Sequence, residues 1–405
     1  MSNHRLNRRH FLTGMGAAGV AVMTARSWTN VVGANDRITM GIIGAGGRGR
    51  GLMRIFKRDP GVEFAAVCDV YEPHIAEGQK IAGEKSKGTF EYREVLDNKE
   101  INAVLVATPD HWHGPMLLDA LQAGKDVYLE KPMSHSIKEG ARMVQAVRRT
   151  KQIVQIGMQR RSSPAVQGAK KLIDDGALGD VILAKAQWHW NQGPLPKTVE
   201  LKGKLDWERF QKSCKHKRPQ DPVRWAVWRN FWDYSGGHCT DQGTHLMDVI
   251  QWFLNNGKAP IAAQCYGATY NLVGAEVPDT FAVVFEYPKF VATWTLTYGN
   301  SYHDGWTIVF QGRKGTMELD DRGYRVYAEP WPRSGQQPQP TIEFKGGIPT
   351  EPHVDNFLEC VRSRKEPNAP VEVGHHGVCG PHLANVSLRN KRRAQLNPEA
   401  DKVKT

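Results

Sequence analysis

Cysteine is scarce in this chain: six among 405 residues, with no CxxC pair and no zinc-ligand spacing. A disulfide scaffold and a zinc module are excluded. The six thiols read as buried core residues. Long apolar runs are missing as well. No stretch reaches the roughly 20 apolar residues needed to span a bilayer. Forty Gly and 23 Pro are spread without a collagen period, and internal repeats are absent. Disorder is excluded by the 40% apolar content. The length predicts two or three domains.

Acidic residues are absent from positions 1–34, which carry Arg5, Arg8, Arg9 and Arg26. The C-terminal segment from Arg389 holds six bases against Glu399 and Asp401. These two ends account for about +8 of the formal net charge of +12, leaving about +4 on the body. No basic face remains for nucleic acid. The start reads Asn7-Arg8-Arg9-His10-Phe11-Leu12-Thr13, followed by a weak apolar, Gly-rich run to Ala25. Adjacent arginines before a short apolar stretch predict a twin-arginine export signal, ending near Ala25 or Ala34. The expected destination is the periplasm, or another exported location, of a bacterium. The export machinery is then a partner, and the protein would travel folded with its cofactor.

A short apolar strand from Arg37 to Ile43 runs into Gly44-Ala45-Gly46-Gly47-Arg48-Gly49, and a helix pattern follows. In this GxGxxG loop Gly44 permits the turn, and Gly46 lets a pyrophosphate approach the backbone. Gly49 seats the helix on the strand. The next strand, Val62 to Cys68, ends at Asp69. An acid there holds ribose hydroxyls and repels a 2′-phosphate, so NAD is favoured over NADP. Helix and strand patterns then alternate: a helix over Glu72–Ala82, a strand over Ala103–Ala107, a helix from Gly114, a strand over Asp126–Leu129. Ligands bind beyond the carboxyl ends of such strands. Asp69, Thr108, Pro109, Glu130 and Lys131 therefore face the cofactor, with His113 and Pro132 beside them. His111 and His113 lack further clustered ligands, so no metal is expected.

After a helix over Pro164–Asp174, strands predominate. They cover Val181–Trp190, Ala262–Tyr270, Thr280–Tyr287, Phe290–Tyr298, Trp306–Gln311, Thr316–Leu319 and Tyr324–Ala328, which predicts an antiparallel or mixed sheet. Glu329–Thr350 reads as a long loop. Six of the twelve tryptophans fall between Trp188 and Trp232. Aromatic faces suit sugar rings, and Trp188, Trp190, Trp228 and Trp232 are the candidate substrate residues. A helix is expected to start near Thr240. It would carry Asp241 and His245 on one face, at i and i+4. There the carboxylate would orient the imidazole and favour its protonated form.

Together these residues resemble the Gfo/Idh/MocA family of NAD(P)-dependent sugar and polyol oxidoreductases. The resemblance rests on Gly44-x-Gly46-x-x-Gly49, Ala107-Thr108-Pro109, Gly124-Lys125 leading to Glu130-Lys131-Pro132, and Asp241-x-x-x-His245. With the export signal it looks like the exported branch. The resemblance implies an α/β protein with a Rossmann domain and a C-terminal α/β domain built on a large, mostly antiparallel open sheet. The open face of that sheet would form a homodimer or homotetramer. The implied division is an export signal over 1–34, an NAD-binding domain over 35–155, a substrate and oligomerisation domain over 156–388, and a basic tail over 389–405. The C-terminal helix would pack back on the first domain. The resemblance also implies roles. Lys131 contacts the nicotinamide ribose and the reacting hydroxyl, His245 moves its proton, Asp241 orients both, and Glu130 holds the ribose.

The expected activity is hydride transfer between a sugar or cyclitol hydroxyl and tightly bound NAD, or NADP. The competing expectation is an NAD-dependent glycoside hydrolase acting by transient oxidation, elimination and re-reduction. The family's N-acetylgalactosaminidase branch lacks the Glu-Lys-Pro motif that this chain keeps. A sensor without catalysis is disfavoured by the intact Lys131, Asp241 and His245.

Overall fold

A computed structural model describes residues 37–333, 335–336, 338–397 and 402–405. The expected export signal lies outside the described residues.

The first half is the α/β alternation expected from the sequence. β1 (Ile38–Ile43) leads into α1 (Gly47–Phe56), then β2 (Val62–Cys68) and α2 (Glu72–Ala82). Next come β3 (Lys87–Thr89), α3 (Tyr92–Asp97), β4 (Ala103–Val106) and α4 (His113–Gln122). β5 (Asp126–Leu129), α5 (Ile137–Val147) and β6 (Val154–Ile156) complete it. The strands form one parallel sheet in the order β3-β2-β1-β4-β5-β6. That order reverses between β1 and β4, which opens a crevice at their carboxyl ends. β4 and β5 are buried at every position, as strands covered on both faces must be. β6 straddles the boundary expected at residue 155.

The second half starts with α6 (Pro164–Asp174), whose proline sits in the first turn, and β7 (Val181–His189). An excursion carries the short helices α7 (Trp207–Gln211) and α8 (Pro222–Ala226), and α9 (Gly237–Leu254) follows. Seven strands come next: β8 (Ala262–Ala268), β9 (Thr280–Glu286), β10 (Val291–Thr297), β11 (Gly305–Gly312), β12 (Gly315–Asp320), β13 (Gly323–Ala328) and β14 (Ile342–Lys345). α10 (Glu351–Ser363), α11 (Val371–Asn390), β15 (Ala394–Asn397) and β16 (Lys402–Lys404) end the chain. The ten strands form one sheet in the order β14-β13-β12-β11-β7-β10-β9-β8-β15-β16, antiparallel except for the β10–β7 pair.

Two expectations change here. The long loop over Glu329–Thr350 contains β14, and the segment called a basic tail supplies the last two strands at one end of the sheet, β15 and the edge strand β16. The sequence hid both, because each strand is short and largely polar.

α9 covers one face of the large sheet and is buried along nearly its whole length. The opposite face stays open, and Ile182, Val284 and Val291 are exposed on it. Both C-terminal helices pack back on the Rossmann half, and α11 also joins it to the large sheet. Phe357 of α10 meets Phe56 and Tyr128 edge-on at 6.0 and 5.7 Å. α11 packs against α5, α9 and β8. Among the described residues no helix is long and apolar enough to cross a membrane.

Candidate active site

A cleft of about 650 Å³ lies where the parallel sheet's order reverses. Its walls are the glycine loop, the ends of β2, β4 and β5, one face of α9, and part of the excursion between β7 and α9.

The glycine loop is shaped by close approach. Gly44 has φ +94°, and a Cβ there would meet the Ala107 backbone at 2.7 Å. A Cβ on Gly49 would lie 2.1 Å from the Gly44 carbonyl oxygen, so only glycine lets α1 seat on β1. Gly46 and Gly47 face open space instead: nothing lies within 4 Å of a Cβ on Gly47. The first turn of α1 has no side-chain cap and no acid. Its free N–H groups meet the cleft beside that room, so the residues present fit a dinucleotide pyrophosphate.

The strand-end residues occupy two positions relative to this cleft. Asp69, Thr108, Pro109, Glu130 and Lys131 line it, and the Thr108 hydroxyl is buried with no partner. Asp69 accepts from Tyr71 N at 3.0 Å and lies 3.4 Å from His74 Nδ1. Arg48 Nε donates to Glu130 Oε1 at 2.8 Å, which ties the glycine loop to the end of β5. His113 and Pro132 are not among the lining residues. The His113 ring lies between the Pro132 and Thr108 carbonyl oxygens, at 2.7 and 2.9 Å, and is buried. It braces the two strand-end loops from behind.

Lys131, Asp241 and His245 meet across the cleft from β5 and α9. Lys131 Nζ donates to Asp241 Oδ1 at 2.6 Å and to the Asp241 carbonyl oxygen at 3.0 Å. Arg229 Nε lies 3.2 Å from Asp241 Oδ2. Burial opposes the Asp241 charge, but Lys131 and then Arg229 outweigh it and hold the carboxyl well below its usual range. His245 goes the other way to the expectation. Burial, then the charges of Lys131 and Arg160, push its pKa well below the usual range, and Asp241 opposes them only weakly. The carboxylate serves the two cations, so the imidazole is uncharged at neutral pH. An uncharged imidazole has a lone pair and can accept a proton.

The tryptophan-rich excursion corrects another expectation. Most of it packs on the Rossmann half. Leu205 bridges to Tyr71, and Trp207, Phe210, Phe231 and Tyr234 form a buried cluster with that tyrosine. The Phe210 carbonyl accepts from Trp112 Nε1 at 2.8 Å, and the His111 ring lies 2.8 Å from the same oxygen. Of the four candidate substrate tryptophans, only Trp228 lines the cleft. Trp188 is buried and stacks on His245, with ring centroids 6.3 Å apart. Trp190 sits edge-on to Trp188 and stacks on Tyr298. Trp232 lies beneath Arg389. Sequence reasoning missed Trp225, Arg229 and Gln159, which also line the cleft. Trp225 carried the same aromatic signal as its neighbours, and the other two carried none.

Two family models match: an oxidoreductase family NAD-binding Rossmann fold over residues 38–158, and that family's C-terminal α/β domain over 170–379. This chain belongs to the Gfo/Idh/MocA oxidoreductase family. NAD is the cofactor that the family's Rossmann half binds. Among curated relatives, glycosyl hydrolase family 109 protein 2 of Shewanella sp. (strain ANA-3) is 36% identical over 131 residues. That match covers 30% of this chain, which spans only 28% of the relative's length. An uncharacterized oxidoreductase of Streptococcus pneumoniae is 26% identical over 287 residues, 70% of this chain and 68% of that one. Among solved structures, levoglucosan dehydrogenase in complex with NADH and levoglucosan superposes with TM-score 0.69 at 18% identity. It covers 89% of this chain and 99% of that one. The WlbA dehydrogenase of Bordetella pertussis, in complex with NADH and UDP-GlcNAcA, gives 0.68 at 20% identity, with the same coverage. At such identities the likeness establishes the Gfo/Idh/MocA fold.

Proposed function

We propose that this protein is an exported oxidoreductase that moves a hydride between a ring hydroxyl of a sugar or cyclitol and tightly held NAD. The observation that carries the reading is that His245 lines the NAD cleft together with Lys131, whose ammonium is pinned by Asp241, with burial and the neighbouring cations holding the imidazole pKa below its ordinary value. An alcohol releases hydride poorly while it keeps its proton. A ring nitrogen of His245 takes that proton. The Lys131 ammonium has three N–H donors, and Asp241 accepts two of them. The third remains for the substrate oxygen and stabilises charge as it develops there. Bound NAD supplies C4 of the nicotinamide, where the hydride is accepted or released. The similar folds solved with levoglucosan and with UDP-GlcNAcA support a carbohydrate substrate.

The family 109 glycosyl hydrolase relatives favour a second reading, hydrolysis of a glycoside by transient oxidation, elimination and re-reduction. One experiment separates the two: incubation with mixed sugars and glycosides in heavy water. A keto-sugar product supports the oxidoreductase. Free sugar carrying deuterium beside the anomeric carbon overturns it in favour of the hydrolase.

Export by the twin-arginine route, to the periplasm or beyond, belongs to the same proposal and rests on Arg8 and Arg9. Replacing both with lysine is expected to leave the protein in the cytoplasm, and unchanged export would remove this part. The exposed apolar side chains on the open sheet face support a homodimer or homotetramer. Sedimentation as a monomer would count against it.

A further inference from the structure

The excursion between β7 and α9 is fastened to three strand ends of the Rossmann half. After β2, Glu72 N donates to Lys204 O at 2.9 Å, Asp206 N donates to Val70 O at 2.8 Å, and Lys202 N donates to the Tyr71 hydroxyl at 2.8 Å. After β3, Arg209 Nε lies 3.4 Å from Glu91 Oε2. After β4, His111 N donates to Tyr234 O at 3.2 Å, and Ser235 Oγ donates to Asp110 Oδ2 at 2.9 Å. β2 and β4 stand on either side of β1 in the sheet. The excursion, though it belongs to the second half of the chain, therefore bridges the two loops that flank β1 and its glycine loop.

Trp225, on α8, is where this bridge comes to the cofactor cleft. The helix is set by Asp221, whose Oδ1 accepts from Val223 N at 2.9 Å and from Arg224 N at 3.1 Å. The Trp225 ring centroid lies 4.5 Å from that of Tyr71 and 5.5 Å from that of His74. His74 connects the indole to the glycine loop and to the acid at the end of β2. Its Nδ1 is 3.4 Å from Asp69 Oδ2, and its Cε1 lies 4.0 Å from where a Cβ on Gly46 would be. Trp225, His74, Asp69 and Gly46 all line the cleft and so surround one end of it. In a Rossmann domain that end takes the adenosine half of the dinucleotide, with its ribose at the acid and the pyrophosphate at the start of the first helix.

We propose that the excursion is a strap that closes the adenosine end of the NAD site, and that Trp225 is the cofactor-binding residue it carries there. The inference rests on the tightly held NAD of the reading above and assigns the segment that retains it. An aromatic face beside a nucleoside slows its departure. Exit at this end also requires the contacts at Tyr71, Glu91 and Asp110 to part. NAD is thus kept through successive turnovers instead of exchanging as a free substrate.

The test follows the cofactor and not the turnover. Full-length protein is loaded with NAD labelled in the adenine ring and passed into excess unlabelled NAD, and the label left on the protein is counted over time. Wild type is expected to lose label slowly, and Trp225→Ala about 10–10²-fold faster, the scale of one base–aromatic contact. Trp225→Phe keeps an aromatic face and is expected to restore most of the retention. Melting temperature serves as the folding control. Amide hydrogen exchange on wild type needs no variant: NAD is expected to protect residues 205–229 as well as the glycine loop. Label lost from Trp225→Ala at the wild-type rate, or protection by NAD confined to the Rossmann half, overturns the strap and leaves the cofactor reading standing. A protein that takes up no NAD overturns both.

Discussion

His245 is where one side chain decides the chemistry. A histidine that titrated near its ordinary value of about 6.5 would lose its base function as the solution acidified through that value. Here burial, Lys131 and Arg160 keep the ring unprotonated well below it. The plot of kcat/KM against pH is therefore expected to run level as pH falls through about 6.5, bending only at lower pH. An acid limb centred near 6.5 would refute the uncharged base. His245→Ala is expected to lower turnover by about 10²–10⁴, read as steady-state NADH formation. Near-normal turnover would remove the assignment. The Asp241–His245 spacing was legible because four residues complete about one helical turn. The charge balance was not. It depends on Lys131, 110 positions before Asp241, and on Arg229, which no motif marks.

Among the elements, α9 sets the site because it carries both Asp241 and His245. Its closeness to β10 depends on Gly243. A Cβ there would lie 2.5 Å from Trp294 Cζ3 and 2.7 Å from Cη2, and that tryptophan is wholly buried. Gly243→Ala gains up to about 1 kcal/mol of helix propensity. It also overpacks a closed core, which costs about 1–3 kcal/mol. The expected net result is a lower melting temperature together with lower kcat/KM, although no reacting group has been removed. A variant that melts and turns over like wild type would show that the helix can shift freely. The sequence placed the start of α9 near Thr240, but Gly237, at φ +71°, lets it begin three residues earlier. The Rossmann half was readable because each strand and helix pattern fits one βαβ unit. The tryptophan excursion was not, since aromatic spacing does not say which domain it will cover. Tyr71 and His111 determine that through contacts from far upstream.

At the scale of the whole molecule, buried histidines join the parts of the fold and make its stability depend on acid. His111 links the Rossmann half to the excursion, and burial pulls its pKa down to about 3. His238, His353 and His382 are each pulled down to about 4, again chiefly by burial. His353 bridges β6 to α10 through Ile156 O at 2.9 Å, and His382 bridges α11 to Ser134 O at 3.0 Å. In the unfolded chain these rings take up protons near pH 6.5, while in the folded chain they refuse them until about pH 4. Between those limits the unfolded state binds more protons, so stability must fall as pH falls. Each ring contributes up to about 1.4 kcal/mol per pH unit. Above about pH 6.5 both states are neutral at these rings and the slope disappears. Thermal melts from about pH 7 to about pH 4 are expected to show a steady decline that begins near 6.5, before native carboxylates at about 3.9 start to protonate. His245 adds a fifth lowered ring to this slope, so His353→Gln, which removes one of the five, should flatten it by roughly a fifth, whatever it does to the melting temperature at neutral pH. A melting temperature that held constant down to about pH 4.5, or a decline unchanged by His353→Gln, would mean that these rings take up protons while folded. The junctions between the domains would then have to tolerate four buried charges.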